Sequence, residues 1–268
     1  MHPILTRWPF EVHWYGVFVA IGFLVAYWLF QKRAANLGLS EKETSNLIML
    51  LFVSGILGGR IYYIFLDWDR FVTNPGEVLL SRSGFVFFGG FLMAVFALFL
   101  WSRAKQRPLA PIADALAPPL ALGHMFGRLG CFMEGCCYGK PSSYFWAVRP
   151  EAPPEVAGIA IHPTQIYEAI GLLDIFLTLL VMERMPRYPG KIAWSYCILY
   201  SVFRFIVEFF RGDVPHTYLG RFTLAQIVCM GVFVVAWIAS SRMAYKTAKM
   251  RGKRALEALQ SEIKKESI

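Results

Sequence analysis

Seven long apolar runs constrain this chain more than any other feature of its sequence. Each is close to the ~20 residues that an α-helix needs to cross ~30 Å of hydrocarbon, and a backbone in lipid must satisfy its own hydrogen bonds, which favours helices. The runs are continuous rather than alternating, so a transmembrane barrel is not expected. We predict an all-α integral membrane protein, a bundle of seven transmembrane helices. The predicted spans are residues 12–30, 45–66, 84–102, 110–131, 164–182, 191–211 and 222–241. The double proline Pro118-Pro119 is expected to break the fourth.

The composition supports this reading. Of 268 residues, 56% are hydrophobic and only 17% are charged, against about 25% charged in a typical soluble domain. A net charge of +9 could indicate nucleic-acid binding. The basic residues, however, lie in short connections and in the last 27 residues, which is a membrane-topology pattern, and no nucleic-acid partner is predicted.

The basic residues also predict the orientation. Seventeen of the 27 Lys and Arg residues fall on one side of the membrane if the chain crosses it seven times. Because basic residues concentrate on the cytoplasmic side, the N-terminus is predicted outside and the C-terminus in the cytoplasm. We therefore divide the chain into a transmembrane domain (1–241), an outer-face arm within it between helices 4 and 5 (132–163), and a basic cytoplasmic tail (242–268).

Arginines inside the spans are the most informative polar residues. Arg60, Arg128 and Arg204 lie about 20–26 Å above the cytoplasmic ends of their helices at ~1.5 Å per residue. Gly89 and Gly90 are expected at a similar level. An intramembrane Arg costs about 2.5–3.5 kcal/mol even on lenient scales, so such residues usually face partners or a cavity. One interpretation is a structural role, in which each arginine snorkels or pairs with a carboxylate. The other is a phosphate or lipid-headgroup site, because guanidinium is a planar two-donor clamp for phosphate.

Three cysteines follow Arg128 at the predicted outer face: Cys131, Cys136 and Cys137. A disulfide with a free thiol, plain buried thiols, a metal site, a redox device and a covalent relay through a nucleophilic cysteine are all open interpretations. Three thiolates without a clear fourth ligand disfavour zinc. A disulfide or buried thiols are preferred, and neither a metal nor a cofactor is predicted.

Six short motifs follow one another along most of the chain. They are His13-Trp14-Tyr15-Gly16, Gly58-Gly59-Arg60-Ile61, Phe87-Phe88-Gly89-Gly90, Gly127-Arg128-Leu129-Gly130, His162-Pro163-Thr164-Gln165-Ile166-Tyr167-Glu168 and Phe203-Arg204-Phe205-Ile206-Val207-Glu208-Phe209-Phe210-Arg211. In their order and spacing these motifs resemble those of the prolipoprotein diacylglyceryl transferases of bacterial inner membranes. Six matches in order make the resemblance specific.

The resemblance implies a seven-helix, multi-pass enzyme of the bacterial inner membrane. Such an enzyme transfers diacylglyceryl from phosphatidylglycerol to the lipobox cysteine of a prolipoprotein signal peptide and releases glycerol phosphate. Arg128 and Arg204 look like the family's two essential arginines, which would hold the phosphate and stabilise the leaving group. The substrate-binding residues are predicted to be Tyr15, His13, Arg60, Phe88, Gly89, Gly90, Glu208, Arg211, Cys131 and Cys136.

The chain departs from the family pattern at three of these positions. Phe88 stands where well-known members have a histidine before Gly-Gly, and Cys131 and Cys136 replace an asparagine and a glutamate. The acceptor thiol, with a pKa near ~8.5, needs help to ionise. His124 is one helical turn before Arg128, so we hypothesise that it either deprotonates the thiol or orients Arg128. A histidine bonded to a neighbouring helix is the alternative.

Two rival functions remain open at this stage. A divergent homologue could use the same lipid cavity for another acceptor or lipid. A non-catalytic lipid-binding protein or small-solute transporter is the other, although arginines near one leaflet, rather than at the midplane, disfavour transport.

Overall fold

The structure is a computed structural model that describes residues 4–6, 12–80, 86–151, 153–185, 188–213 and 222–266. Its helices are α1 (Trp14–Ala35), α2 (Glu41–Leu66), α3 (Trp68–Thr73), α4 (Pro75–Leu80), α5 (Phe87–Ala104), α6 (Leu109–Glu134), α7 (Thr164–Glu183), α8 (Lys191–Val207) and α9 (Leu224–Glu266). Short 3-10 turns cover Pro154–Val156 and Glu208–Phe210. Strands β1 (Ile4–Thr6) and β2 (Val12–His13) form one small antiparallel pair.

The predicted all-helical membrane class is confirmed in its coarse form. Among the described residues, five helical stretches are long and apolar enough to cross a membrane: Trp14–Ala35, Glu41–Leu66, Thr164–Glu183, Lys191–Phe210 and Leu224–Ala255. A shorter apolar helix covers Gly89–Ala104. Only 11% to 33% of the residues in the apolar windows of the five are buried, so lipid is the natural cover for the rest. The count of seven spans and the orientation remain predictions. Residues 84–85 and Arg187 lie outside the described part.

The prediction that Pro118-Pro119 breaks the fourth span was wrong. The helix α6 runs without interruption over 26 residues. Pro118 is fully buried, and its neighbours Ala117 and Ala121 belong to a core cluster with residues of α7 and α8. This packing compensates for the two missing backbone donors, as tertiary contacts commonly do for proline in spanning helices.

The chain divides into two compact units, which are described separately: Leu29–Ile112, and Met1–Trp28 with Ala113–Ile268. In the Leu29–Ile112 unit, α2 and α5 touch through glycine backbones. A Cβ on Gly58 would lie 2.5 Å from the carbonyl oxygen of Gly89, and one on Gly90 would lie 2.6 Å from that of Gly55. Glycine alone fits so close an approach. An apolar groove of about 260 Å³ lies beside this crossing, between Tyr62, Phe65, Leu92 and Phe96.

In the larger unit, α6, α7 and α8 surround a core of Ala117, Ala121, Ile175, Leu179, Ile192 and Tyr196. The buried Asp114 fixes the start of α8, because its carboxylate accepts hydrogen bonds from the backbone N–H of Gly190 (2.7 Å) and of Ala193 (2.9 Å). This is an N-terminal cap supplied by another helix.

The first three residues of the predicted outer-face arm (132–163) belong to α6, and the described residues from 135 onward are mostly irregular. Backbone hydrogen bonds fix this segment to the chain at two points. Gly139 N–H donates to the carbonyl of His162 (3.1 Å), and Lys140 N–H donates to that of Phe210 (2.8 Å). A Cβ on Gly139 would lie 2.4 Å from the His162 oxygen, so the backbones can meet only at a glycine. The helix α9 continues past the predicted seventh span to Glu266, so most of the predicted tail is helical.

Candidate functional site

Glu168, on the second turn of α7, is the centre of a buried charged cluster. Its side chain is 1% exposed, and its Oε2 lies 2.9 Å from Nη2 of Arg128 on α6 and 3.9 Å from Nε of Arg204 on α8. Its Oε1 lies 3.7 Å from Nη1 of Arg211. Three arginines from different parts of the chain therefore converge on one carboxylate.

Two further carboxylates complete the cluster. Glu208 pairs with Arg204 one helical turn earlier, and it also accepts a hydrogen bond from Thr223 Oγ1 at 2.7 Å. Asp213 accepts two hydrogen bonds from Arg211, at 2.6 and 2.7 Å, in the bidentate arrangement typical of arginine and carboxylate. Arg128, Arg204 and Arg211 thus face Glu168, Glu208 and Asp213, and their formal charges cancel.

The cluster is buried but not closed. The side chains of Arg128 and Arg204 are 15% and 12% exposed. Within the described residues, neither oxygen of Glu168 accepts a hydrogen bond of good geometry, although both lie in ion-pair contact. A guanidinium has five N–H donors, so the arginines keep donors for a further acceptor. The arrangement can bind an anion such as a phosphate ester.

His124 is in direct contact with Arg128. Arg128 Nε donates a hydrogen bond to His124 Nε2 at 3.3 Å, which requires a lone pair on that nitrogen and a ring whose proton is on Nδ1. The ring also lies against Tyr200 on α8, with centroids 5.2 Å apart. With Nε2 directed at Arg128, the geometry favours orientation of the arginine over removal of a proton from a thiol.

Tyr15 and His13 lie where α1 begins. The half-exposed Tyr15 packs against Gly130, at which a Cβ would lie 3.2 Å from the ring and from the Tyr15 carbonyl. His13 Nδ1 lies 3.3 Å from a carboxylate oxygen of Glu134 at the end of α6. Both predicted residues therefore lie near the end of α6, the helix that carries Arg128.

The sulfur atoms of Cys131, Cys136 and Cys137 lie within 4.8 Å of one another, and all three are free thiols. Hydrogen bonds from Cys131 and Cys136 lower the pKa of Cys137, and the positive charges of Arg211 and Arg128 act in the same direction. The pKa of Cys136 is raised by its hydrogen bonds to the other two thiols and by burial. Of the two preferred interpretations, a disulfide or buried thiols, the disulfide is not formed in this structure. The charges of Arg211 and Arg128 act on Cys137, so the thiols adjoin the arginine cluster.

The other predicted residues belong to the Leu29–Ile112 unit. Arg60 Nη2 donates to the carbonyls of Val78 (2.6 Å) and Leu79 (2.8 Å) at the end of α4. Gly89 and Gly90 form the crossing with α2. The backbone of Phe88 lies in α5, and its side chain is outside the described part. These contacts of Arg60 are those of a helix cap, and those of Gly89 and Gly90 are helix-packing contacts. Substrate-binding roles for these three residues and for Phe88 remain predictions.

Sequence reasoning missed the residue at the centre of the cluster. The sequence places Glu168 in the second turn of a helix that Thr164 begins, where a structural role is a sufficient explanation for a carboxylate. The available signal was a carboxylate inside an apolar span, which is as costly as an intramembrane arginine and calls for a partner. Asp213 was also missed, since it follows the last predicted span.

The apolar helices and the buried cluster of arginines and carboxylates define a class of multi-helix membrane protein with a charged site between its helices. Comparison with known proteins narrows this class. A family model for prolipoprotein diacylglyceryl transferase matches residues 3–241, and the chain belongs to that family.

Named relatives agree with this assignment. The phosphatidylglycerol–prolipoprotein diacylglyceryl transferase of Clostridium tetani is 32% identical over 240 residues, which cover 88% of this chain and 95% of that protein. The enzyme of the same name from Idiomarina loihiensis is 36% identical over 224 residues, covering 81% and 82%. A second such transferase from Clostridium perfringens is 31% identical and covers 91% and 94%. The predicted family is confirmed, and the chain is a multi-pass membrane protein.

Proposed function

We propose that this chain transfers the diacylglyceryl group of phosphatidylglycerol to the cysteine thiol of a prolipoprotein and that Arg128 and Arg204 bind the phosphate. The observation that carries the assignment of the site is the convergence of these two arginines, from α6 and α8, on the carboxylate of Glu168. The family match supports the reaction.

The transfer reaction requires a site that stabilises a departing phosphate. The acceptor sulfur, as a thiolate, attacks the glyceryl carbon that bears the phosphate ester. The carbon–oxygen bond breaks, and glycerol phosphate leaves with the electron pair, while the thiol proton goes to solvent or a base. Negative charge grows on the departing phosphate, so fixed guanidinium donors stabilise the transition state more than the substrate.

Within this proposal, Glu168 is a positioning residue. Its carboxylate holds Arg128, Arg204 and Arg211 together in the absence of substrate, since three unpaired cations would repel one another in a low-dielectric site. Glu208 and Asp213 fix the outer sides of Arg204 and Arg211. A phosphate oxygen then meets donors that are already oriented.

His124 is a second positioning residue in this proposal, through its contact with Arg128 Nε. No described side chain is assigned as the base. A free thiol with a pKa near ~8.5 is a few per cent ionised at pH 7, and the arginine cluster favours the thiolate. We place the acceptor in the lipobox of a signal peptide and the reaction at the outer leaflet of the bacterial inner membrane, with the N-terminus outside.

The test is a transfer assay with purified full-length protein in phosphatidylglycerol vesicles and a lipobox peptide. We expect a peptide mass increase equal to one diacylglyceryl group, together with release of glycerol phosphate. Consumption of phosphatidylglycerol without peptide modification would support another acceptor. Lipid binding without turnover would overturn the enzyme assignment. Complementation of a transferase-depleted strain checks the same function in cells.

A further inference from the structure

A cluster of three thiols adjoins the arginines and is not needed for the transfer reaction. The sulfur atoms of Cys131, Cys136 and Cys137 lie within 4.8 Å of one another, and none forms a disulfide. The other two cysteines, Cys197 and Cys229, lie within α8 and α9. Three free thiols gathered at one point call for an explanation.

The backbone is held so that it presents these sulfurs together. Cys131 is on the last turn of α6, and the chain then reverses through Gly135 (φ 81°) and Cys137 (φ 65°). A positive φ is uncommon and strained for a cysteine, so surrounding contacts must impose it. The side chain of Gln165 donates to the carbonyl of Cys136, and that of Thr164 to the carbonyl of Cys137, both at 2.7 Å.

The spacing fits a metal ion. With metal–sulfur distances of about 2.3 Å, three sulfurs around one ion are separated by about 3.8–4.0 Å. Small side-chain rotations, which move each sulfur by less than about an ångström, bring the three sulfurs to that separation. Cys136 is exposed, which gives an ion access. Thiolates are soft ligands that select Zn²⁺ and Cu⁺ over hard cations.

The charges of nearby arginines also favour an anionic complex. Three thiolates with a divalent ion carry a net charge of −1, and with a monovalent ion −2. The positive charges of Arg211 and Arg128 act on Cys137, so they lie close enough to stabilise such a complex. We propose that Cys131, Cys136 and Cys137 bind one thiophilic metal ion, Zn²⁺ or Cu⁺, through three sulfur ligands. This departs from the sequence prediction of no metal. Because Cys136 is exposed, solvent can supply the fourth ligand that Zn²⁺ requires.

A covalent relay explains the cluster less well. A cysteine that accepted the diacylglyceryl group would form a thioether, and onward transfer would have to expel a thiolate from an unactivated primary carbon. No described group is placed to activate that bond. Metal binding requires no such step.

The experiment uses the full-length protein in detergent, reduced and stripped of metal with a chelator. Separate samples receive Zn²⁺ alone or Cu⁺ alone, and bound metal is measured by mass spectrometry after desalting. Thiol alkylation, mapped by peptide, is measured in parallel. We expect one ion per chain and protection of Cys131, Cys136 and Cys137 only. Competition with chelators of known affinity shows which ion binds more tightly.

Variants sharpen the test. Cys136→Ser is expected to weaken binding by at least about tenfold, on the scale of losses at metal sites. Cys197→Ala and Cys229→Ala are matched controls that should bind normally. The proposal would be overturned if neither ion protected these three thiols of the wild-type protein from alkylation. So would a disulfide among them in protein isolated without reductant, or undiminished binding in folded Cys136→Ser. None of these readouts depends on transfer activity.

Discussion

Two environments occur for the described arginines on predicted membrane spans, and they differ in the group that the arginine contacts. In the Leu29–Ile112 unit, Arg60 donates to backbone carbonyls at the end of α4. In the larger unit, Arg128, Arg204 and Arg211 share the carboxylate of Glu168. Carbonyl partners complete a helix end, whereas a shared carboxylate holds several cations side by side. The comparison teaches that an arginine in an apolar run can complete a helix end or join a shared charged cluster, and in our proposal the shared cluster is the phosphate site.

The largest effect is expected for Glu168→Gln, which removes the charge that the arginines share. Breaking a buried charge network costs about 3–5 kcal/mol, so we expect a large fall in thermal stability in detergent. Stability equal to that of the wild type would mean that the three arginines are held without the charge of Glu168. The difference between their environment and that of Arg60 would then have no energetic consequence. Glu77→Gln, which affects an exposed ion pair with Arg70, is the matched control and should be nearly silent.

Arg128→Ala and Arg204→Ala should abolish most transfer activity. Removal of one donor that stabilises a developing anion typically costs about 10²–10³ in kcat, and these residues supply such donors in our proposal. Arg128→Lys keeps the charge without the planar fork and should recover only part of the rate. Thermal melts of each variant separate loss of chemistry from loss of fold. Activity within a few-fold of wild type would exclude that arginine from the site.

The close backbone contact between α2 and α5 in the Leu29–Ile112 unit is tested by Gly58→Ala. A Cβ there would lie 2.3 Å from the Cβ of Met93 and 2.5 Å from the Gly89 carbonyl oxygen. Overpacking of this kind costs about 1–3 kcal/mol, and we expect a lower melting temperature. Gly76→Ala in the same unit has nothing within 4 Å of the new Cβ and should be neutral or slightly stabilising. Equal effects of the two substitutions would contradict the proposed helix contact.

Arg60→Gln distinguishes helix capping from the predicted substrate-binding role. If Arg60 mainly serves the carbonyls of Val78 and Leu79, the variant should lose about 1–2 kcal/mol of stability. The kcat and KM of folded protein should then change by less than about tenfold, a loss of about 1.4 kcal/mol. A much larger rise in KM for phosphatidylglycerol, without loss of stability, would instead support substrate binding by Arg60.

The sequence was sufficient for the membrane class and the family, because apolar length and ordered motifs are local signals. It could also nominate Arg128 and Arg204, whose burial in lipid is costly wherever they point. It could not reveal that Glu168 joins them, since that contact depends on how α6, α7 and α8 pack. For the same reason, the packing around Pro118 that keeps α6 continuous was not predictable from the two prolines.

The three-cysteine cluster was only half predictable. Chain proximity suggested that Cys131, Cys136 and Cys137 lie together, but their preferred state was a disulfide or buried thiols. The turn at Cys137 and the bonds from Thr164 and Gln165 are tertiary features. A sequence pattern gives spacing along the chain, whereas ligand geometry depends on the backbone that holds the sulfurs.

Substitution of His124 is expected to have the smallest effect on activity. The pH dependence of the variants distinguishes its two possible roles. If His124 orients Arg128 through the 3.3 Å contact, His124→Ala should lower kcat/KM by less than about tenfold and leave the pH profile unchanged, because no titrating group of the reaction is lost. His124→Gln, with a side-chain oxygen that can accept the bond from Arg128, should recover part of the loss. A general base instead contributes about 10²–10⁴ in rate and must be deprotonated, so its removal would abolish the fall in rate at low pH. If the rate no longer fell at low pH and kcat fell a hundredfold, His124 would act in proton transfer rather than as a positioning residue. The cluster would then supply the base as well as the cations.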